Sequence, residues 1–151
     1  MHEAHLSSSK AQMIAEKEIL IKFCERKDIK LDSTPLYLKD CRVELDGHSL
    51  EPPILVEVYS RVGKLAPSQI KKVLADVLKM LFVENSLGKK FQKIIVFLDE
   101  GVRDSFLGDS WRANALKIFG IKTEVISIPE MCKLVLEAQE RQGRNFRKNK
   151  R

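Results

Sequence analysis

Much of what would assign this chain quickly is missing from it. No run of about 18 apolar residues is present to cross a membrane, and Met1-His-Glu-Ala-His5 has neither the basic nor the apolar region of a secretory signal. There are three cysteines, Cys24, Cys41 and Cys132, odd in number, far apart and without a CxxC pair. That excludes a disulfide framework and a paired-thiolate zinc site. Together these absences predict a cytoplasmic protein with reduced thiols and no membrane partner. Glycine is scarce, at 7 residues, and forms neither a P-loop nor GxGxxG, which removes the common nucleotide-binding loops. His2, His5 and His48 have no metal-ligand spacing, and the single tryptophan, Trp111, reads as a core anchor early in a helix.

What remains is the composition of an ordinary globular domain: 151 residues, 44% apolar and 32% charged. The charge is unevenly placed. Arg141, Arg144, Arg147, Lys148, Lys150 and Arg151, with no acid among them, account for the whole net charge of +6. Residues 1–140 are therefore neutral and read as one α/β domain, and 141–151 as a basic, disordered tail. Within that tail Arg144, Arg147, Lys148, Lys150 and Arg151 are the candidates for contacting a polyanion, with nucleic acid the first choice.

Element signals follow one another without a linker or repeat. Ser7-Ser-Ser9 opens a helix to near Asp28, with Met13, Leu20 and Cys24 on one face. Leu36–Lys39 and Cys41–Asp46 read as strands, Asp46-Gly47 as a turn, and Ile54–Val62 as the antiparallel partner of Cys41–Asp46. Pro67 and Ser68 open a helix with Ile70, Val73, Leu74, Val77, Leu78 and Leu81 in one apolar stripe. Lys93–Leu98 is a near-continuous apolar strand, Trp111–Phe119 a helix, Thr123–Ile128 a strand, and Pro129 begins a last helix to about Gln139. Strands joined by helices in the second half predict parallel pairing.

One residue disagrees with its surroundings. In Ile54-Leu-Val-Glu-Val-Tyr59, alternation puts Val56 and Val58 on one face and Leu55, Glu57 and Tyr59 on the other. A carboxylate on such a strand costs several kcal/mol unless it is paired, hydrogen-bonded or metal-bound. Asp46, at the end of the preceding strand candidate, is a second carboxylate within reach, and two such groups suit a hard divalent cation. Glu16 leans toward the core side of the first helix and is a third acid. On the helix after the acidic strand, Gln69, Lys72 and Asp76 share a face off the apolar stripe.

This order and spacing resemble the PD-(D/E)xK nuclease superfamily over about residues 10–128. Asp46 matches the motif Asp, and Glu57-Val58-Tyr59 stands at Glu-x-Lys, with Tyr59 in the lysine's place. The resemblance implies a restriction-endonuclease-like three-layer sandwich, a mixed sheet of about five strands flanked by helices. It implies Mg²⁺ (or Mn²⁺) held by Asp46, Glu57 and the Val58 carbonyl, and hydrolysis of DNA phosphodiester bonds. Tyr59 is a neutral donor at pH 7, so Lys72 is the expected catalytic cation, with Glu16, Tyr59 and Gln69 in auxiliary roles. Homodimers are common in this fold, which adds a homodimer to the expectations. Tyr59 also favours the alternative of a nuclease-fold protein that binds nucleic acid or a protein partner without cleaving it.

Overall fold

The computed structural model describes residues 7–148. Helix α1 (Ser8–Lys27) is capped by the Ser7 hydroxyl, which accepts from the Lys10 N–H. Strands β1 (Leu36–Leu38) and β2 (Cys41–Val43) form a two-stranded antiparallel ribbon. Strands β3 (Gly47–Leu50), β4 (Pro53–Tyr59), β5 (Gln92–Phe97) and β6 (Ile121–Val125) form one mixed sheet in that order. β3 and β4 are antiparallel, while β4, β5 and β6 are parallel, as the helical crossovers require. Those crossovers are α2 (Pro67–Leu87), then α3 (Glu100–Asp104) and α4 (Trp111–Ile118); α5 (Pro129–Lys148) closes the fold. None of the described helices is long and apolar enough to cross a membrane.

Helices cover both faces of the sheet. Leu55 and Tyr59 pack with Val73, Val77 and Met80 of α2 and with Val102, Phe106 and Leu116. Ile54, Val56 and Val58 pack with Ala15, Ile19 and Phe23 of α1 and Val135 of α5. The alternation read along β4 is therefore the one observed. It puts Glu57 on the α2 face.

Five expectations need correction, the simplest being Trp111, which is 69% exposed and anchors no core. The hairpin partner of β4 is Gly47–Leu50, with the turn at Glu51-Pro52, so Asp46-Gly47 opens a strand instead of closing one. Two prolines side by side outweigh one Asp-Gly pair as a chain reversal. His48 accordingly lies in a strand, buried, with Nε2 hydrogen-bonded to the Thr34 carbonyl. The main sheet has four strands, not five, because β1 and β2 pair with each other apart from it. The buried face of α1 is Ala11, Ala15, Ile19 and Phe23, and Met13 is 57% exposed. Small alanines at i, i+4 spacing let α1 lie close to α5 and the sheet, with Leu20 packed at the edge of that core and Met13 turned away from it. Lastly, α5 continues helical to Lys148, so the basic segment expected to be disordered from Arg141 is ordered to that point. Lys150 and Arg151 lie outside the described residues.

Gly47 joins the fold to the site. A Cβ there would stand 2.9 Å from Leu31 Cδ1, 3.2 Å from Leu31 Cβ and 3.3 Å from Leu20 Cδ1. Gly47→Ala should cost about 1–2 kcal/mol through this overpacking. Urea denaturation would read it as a lower midpoint at unchanged slope.

Candidate active site

Asp46 directly precedes β3, so the β3–β4 register brings it opposite Glu57. Its Oδ2 accepts the Val58 N–H at 2.7 Å. In an extended strand the N–H and C=O of one residue point to the same edge, so the Val58 carbonyl also turns toward Asp46. Asp46 and Glu57, two of the three expected metal donors, line one cleft, and Asp46 is bonded to the backbone of Val58.

Glu57 is 5% exposed, which rules out the reading that it simply faces water. Its nearest cation is Lys79 on α2, with Nζ 3.1 Å from Oε1 and 3.5 Å from Asp76 Oδ1. Oε1 is buried, and apart from this ion pair it has no hydrogen-bond partner. Burial, with the Asp46 and Asp76 carboxylates, pushes Glu57 up to about 9. Burial alone would pull Lys79 down, but Glu57 and Asp76 more than offset it and leave it above the ordinary lysine value. Both groups therefore hold their protons more tightly than usual, Lys79 because of the two carboxylates and Glu57 because of burial and its acidic neighbours.

Glu84 shows how a structural carboxylate differs. Its Oε2 accepts from Lys93 Nζ at 2.7 Å and the Phe91 N–H at 2.9 Å. Burial would raise it, but these hydrogen bonds hold it below the usual range. Glu57 also has a lysine beside it and moves the other way, because burial and the Asp46 and Asp76 carboxylates outweigh Lys79.

Glu16 reaches the same place from α1. Burial and then Asp46 raise it to about 7, against the opposing pull of Lys72. Met13, Glu16, Lys17 and Leu20 of α1, Ser33, Glu44, Leu45, Asp46, Glu57 and Lys79 line one cleft of about 480 Å³. Lys72 instead lines a smaller neighbouring pocket with Glu16, Tyr59, Arg61 and Gln69. Tyr59 is buried, edge-on to Phe97, and burial raises its phenol. Gln69 Oε1 accepts the Ala66 N–H at 2.8 Å, so the α2 N-terminus already holds the oxygen of this amide. Arg144, Arg147 and Lys148 are exposed on the last turns of α5, with Arg144 3.9 Å from Glu140.

Lys79 was missed in the sequence, although a signal for it existed. Gln69, Lys72, Asp76 and Lys79 follow at spacings of 3, 4 and 3, a single helical stripe. Extending the polar face by one more turn reaches Lys79. Because α2 runs back along β4, that later turn lies over Glu57, while Lys72 lies over Tyr59 at the strand's end.

Among the described residues, no three His, Cys, Asp or Glu side chains gather closely enough to hold a metal ion by themselves. The donor set nonetheless fits a hard cation. Glu57 Oε1 is buried and held only by the Lys79 ion pair, Asp46 has one oxygen outside its hydrogen bond to Val58, and a strand carbonyl turns the same way. No known protein family, characterised protein or solved structure matches this chain.

Proposed function

We propose that this protein is a Mg²⁺-dependent nuclease that hydrolyses DNA phosphodiester bonds in the cleft between α1, β4 and α2. The observation that carries this reading is the buried Glu57 carboxylate, with Oε1 held only by the Lys79 ion pair, beside Asp46. A structural carboxylate would be hydrogen-bonded, as Glu84 is. Groups held far from their ordinary pKa in a cleft are typical of functional sites. Asp46, Glu57 and the Val58 carbonyl would hold the ion, which, when bound, supplies charge to a phosphate oxygen and acidifies a water. The Val58 N–H orients Asp46. Lys79 carries the positive charge that Tyr59 lacks and stands nearer the carboxylates than Lys72. Its ammonium offsets charge building on the phosphate. Glu16, near pH 7 in its titration, is placed to exchange a proton with water in the cleft. Arg144, Arg147 and Lys148 add phosphate contacts from α5.

A second reading has one observation in its favour. Tyr59, at the motif lysine's position, is packed into the core against Phe97, which suits a nuclease-fold protein that binds nucleic acid without cutting it. One experiment separates the two. Labelled DNA, single-stranded and duplex, is incubated with the protein in 5 mM Mg²⁺ or Mn²⁺ (about the usual working range for weakly held hard ions). Cleavage that disappears in Asp46→Ala supports the nuclease. Binding without cleavage in either metal supports the second reading. Cleavage that survives in Asp46→Ala removes the site from both.

A further inference from the structure

The walls of the cleft differ from its floor. Its floor carries Asp46 and Glu57, with Glu57 only 5% exposed. One wall is α1, where Met13, Glu16, Lys17 and Leu20 fall on one helical stripe. Leu45 adds a further apolar side chain. Met13 is 57% exposed in a helix whose other face supplies the core, so packing does not explain its position. Lys17, one turn on, is exposed beside it and has no salt bridge among the described residues.

A volume of about 480 Å³ is that of a small-molecule pocket, large enough for one nucleotide. A duplex is a stiff rod over such lengths, and its paired bases do not enter a pocket unless a nucleotide is turned out. An unpaired strand meets no such obstacle. Its bases can pack against aromatic or apolar side chains, and its phosphates against lysines. Both are present on α1, in one stripe, beside carboxylates that a backbone phosphate must approach.

We propose that the cleft takes single-stranded nucleic acid, with Met13 contacting a base and Lys17 the adjoining phosphate. The proposal rests on the nuclease reading for the phosphate's position, and names the substrate form that reading leaves open. Because Met13 is exposed, replacing it leaves the core unchanged.

The test uses the full chain and fluorescein-labelled 15-mers, single-stranded or as blunt duplex, at matched salt with Ca²⁺ in place of Mg²⁺. Anisotropy should show the single strand bound at least tenfold more tightly, and Met13→Ala should weaken it about fivefold while leaving duplex binding unchanged. Lys17→Gln should weaken it and lower the slope of log affinity against log salt by about 0.7. Equal or tighter binding of duplex, or a single-strand affinity indifferent to Met13→Ala, overturns the proposal. The nuclease reading is scored separately in Mg²⁺. Selective single-strand binding with no cleavage defeats that reading and leaves this one standing, and cleavage of preferred duplex does the reverse.

Discussion

Glu57→Gln should make the metal-free protein more stable at pH 7–8, by about 1–3 kcal/mol. The folded-state pKa of Glu57 is raised to about 9 from 4.5. The folded state therefore holds a proton that the unfolded chain has released across that interval. The contribution is fully favourable below about pH 4.5 and is lost progressively as pH rises toward 9. Each pH unit in the window corresponds to about 1.4 kcal/mol, and the loss of the Lys79 contact offsets part of the gain. Glutamine has the shape of the carboxyl group without its charge, so it removes the pH-dependent cost and weakens only the Lys79 contact. Urea denaturation in EDTA at pH 5, 7 and 8 should show almost no gain at the lowest pH and the largest at the highest. In Mn²⁺ the ranking should reverse, since only the wild type gains stability by binding the ion. A net loss of stability at pH 8 would identify Glu57 as an ordinary ion-pair partner and end the metal-site reading.

The second large effect belongs to Lys79. Lys79→Met should reduce DNA cleavage roughly 100-fold or more, whereas Lys72→Met should reduce it less than tenfold. The contrast follows from position. Lys79 Nζ is 3.1 Å from Glu57 Oε1, and Lys72 lines the adjoining pocket with Tyr59 and Gln69. A readout independent of cleavage is Mn²⁺ affinity by calorimetry. Removing an ammonium from beside the carboxylates should leave that affinity intact or raise it. A weaker metal affinity, or a larger loss of cleavage in Lys72→Met, would move the catalytic cation away from Lys79.

Several parts of this account were legible from residue order. The two faces of β4 followed from alternation of side chains along one strand, and Glu57 stood out as an acid among them. The parallel pairing of β4 to β6 followed from helical patterns between them, because a parallel connection needs a crossover of that length. The helix start at Ser7 was also visible locally. A strand over Cys41–Asp46 paired with β4 was the wrong register: β2 ends at Val43 and pairs with β1, and Asp46 comes opposite Glu57 because it directly precedes β3.

Other features depend on contacts between distant segments. The face α1 buries was misread because both of its sides carry apolar residues, and the choice went to the alanines that allow close packing with α5. β1 and β2 leave the main sheet because Leu36, Leu38 and Val43 pack over α2 instead. Glu57's high pKa has no sequence signal. It arises where β4 and α2 exclude water and bring Asp46 and Asp76 within Coulombic reach. Local order therefore carried the α/β plan, the strand faces and the identity of the central acid, because side-chain periodicity and turn chemistry act over a few residues. Lys79's place over Glu57, the buried Oε1 and the cleft beside Met13 came from packing alone, because they depend on where α2 and α1 lie on the sheet, and no single segment encodes that.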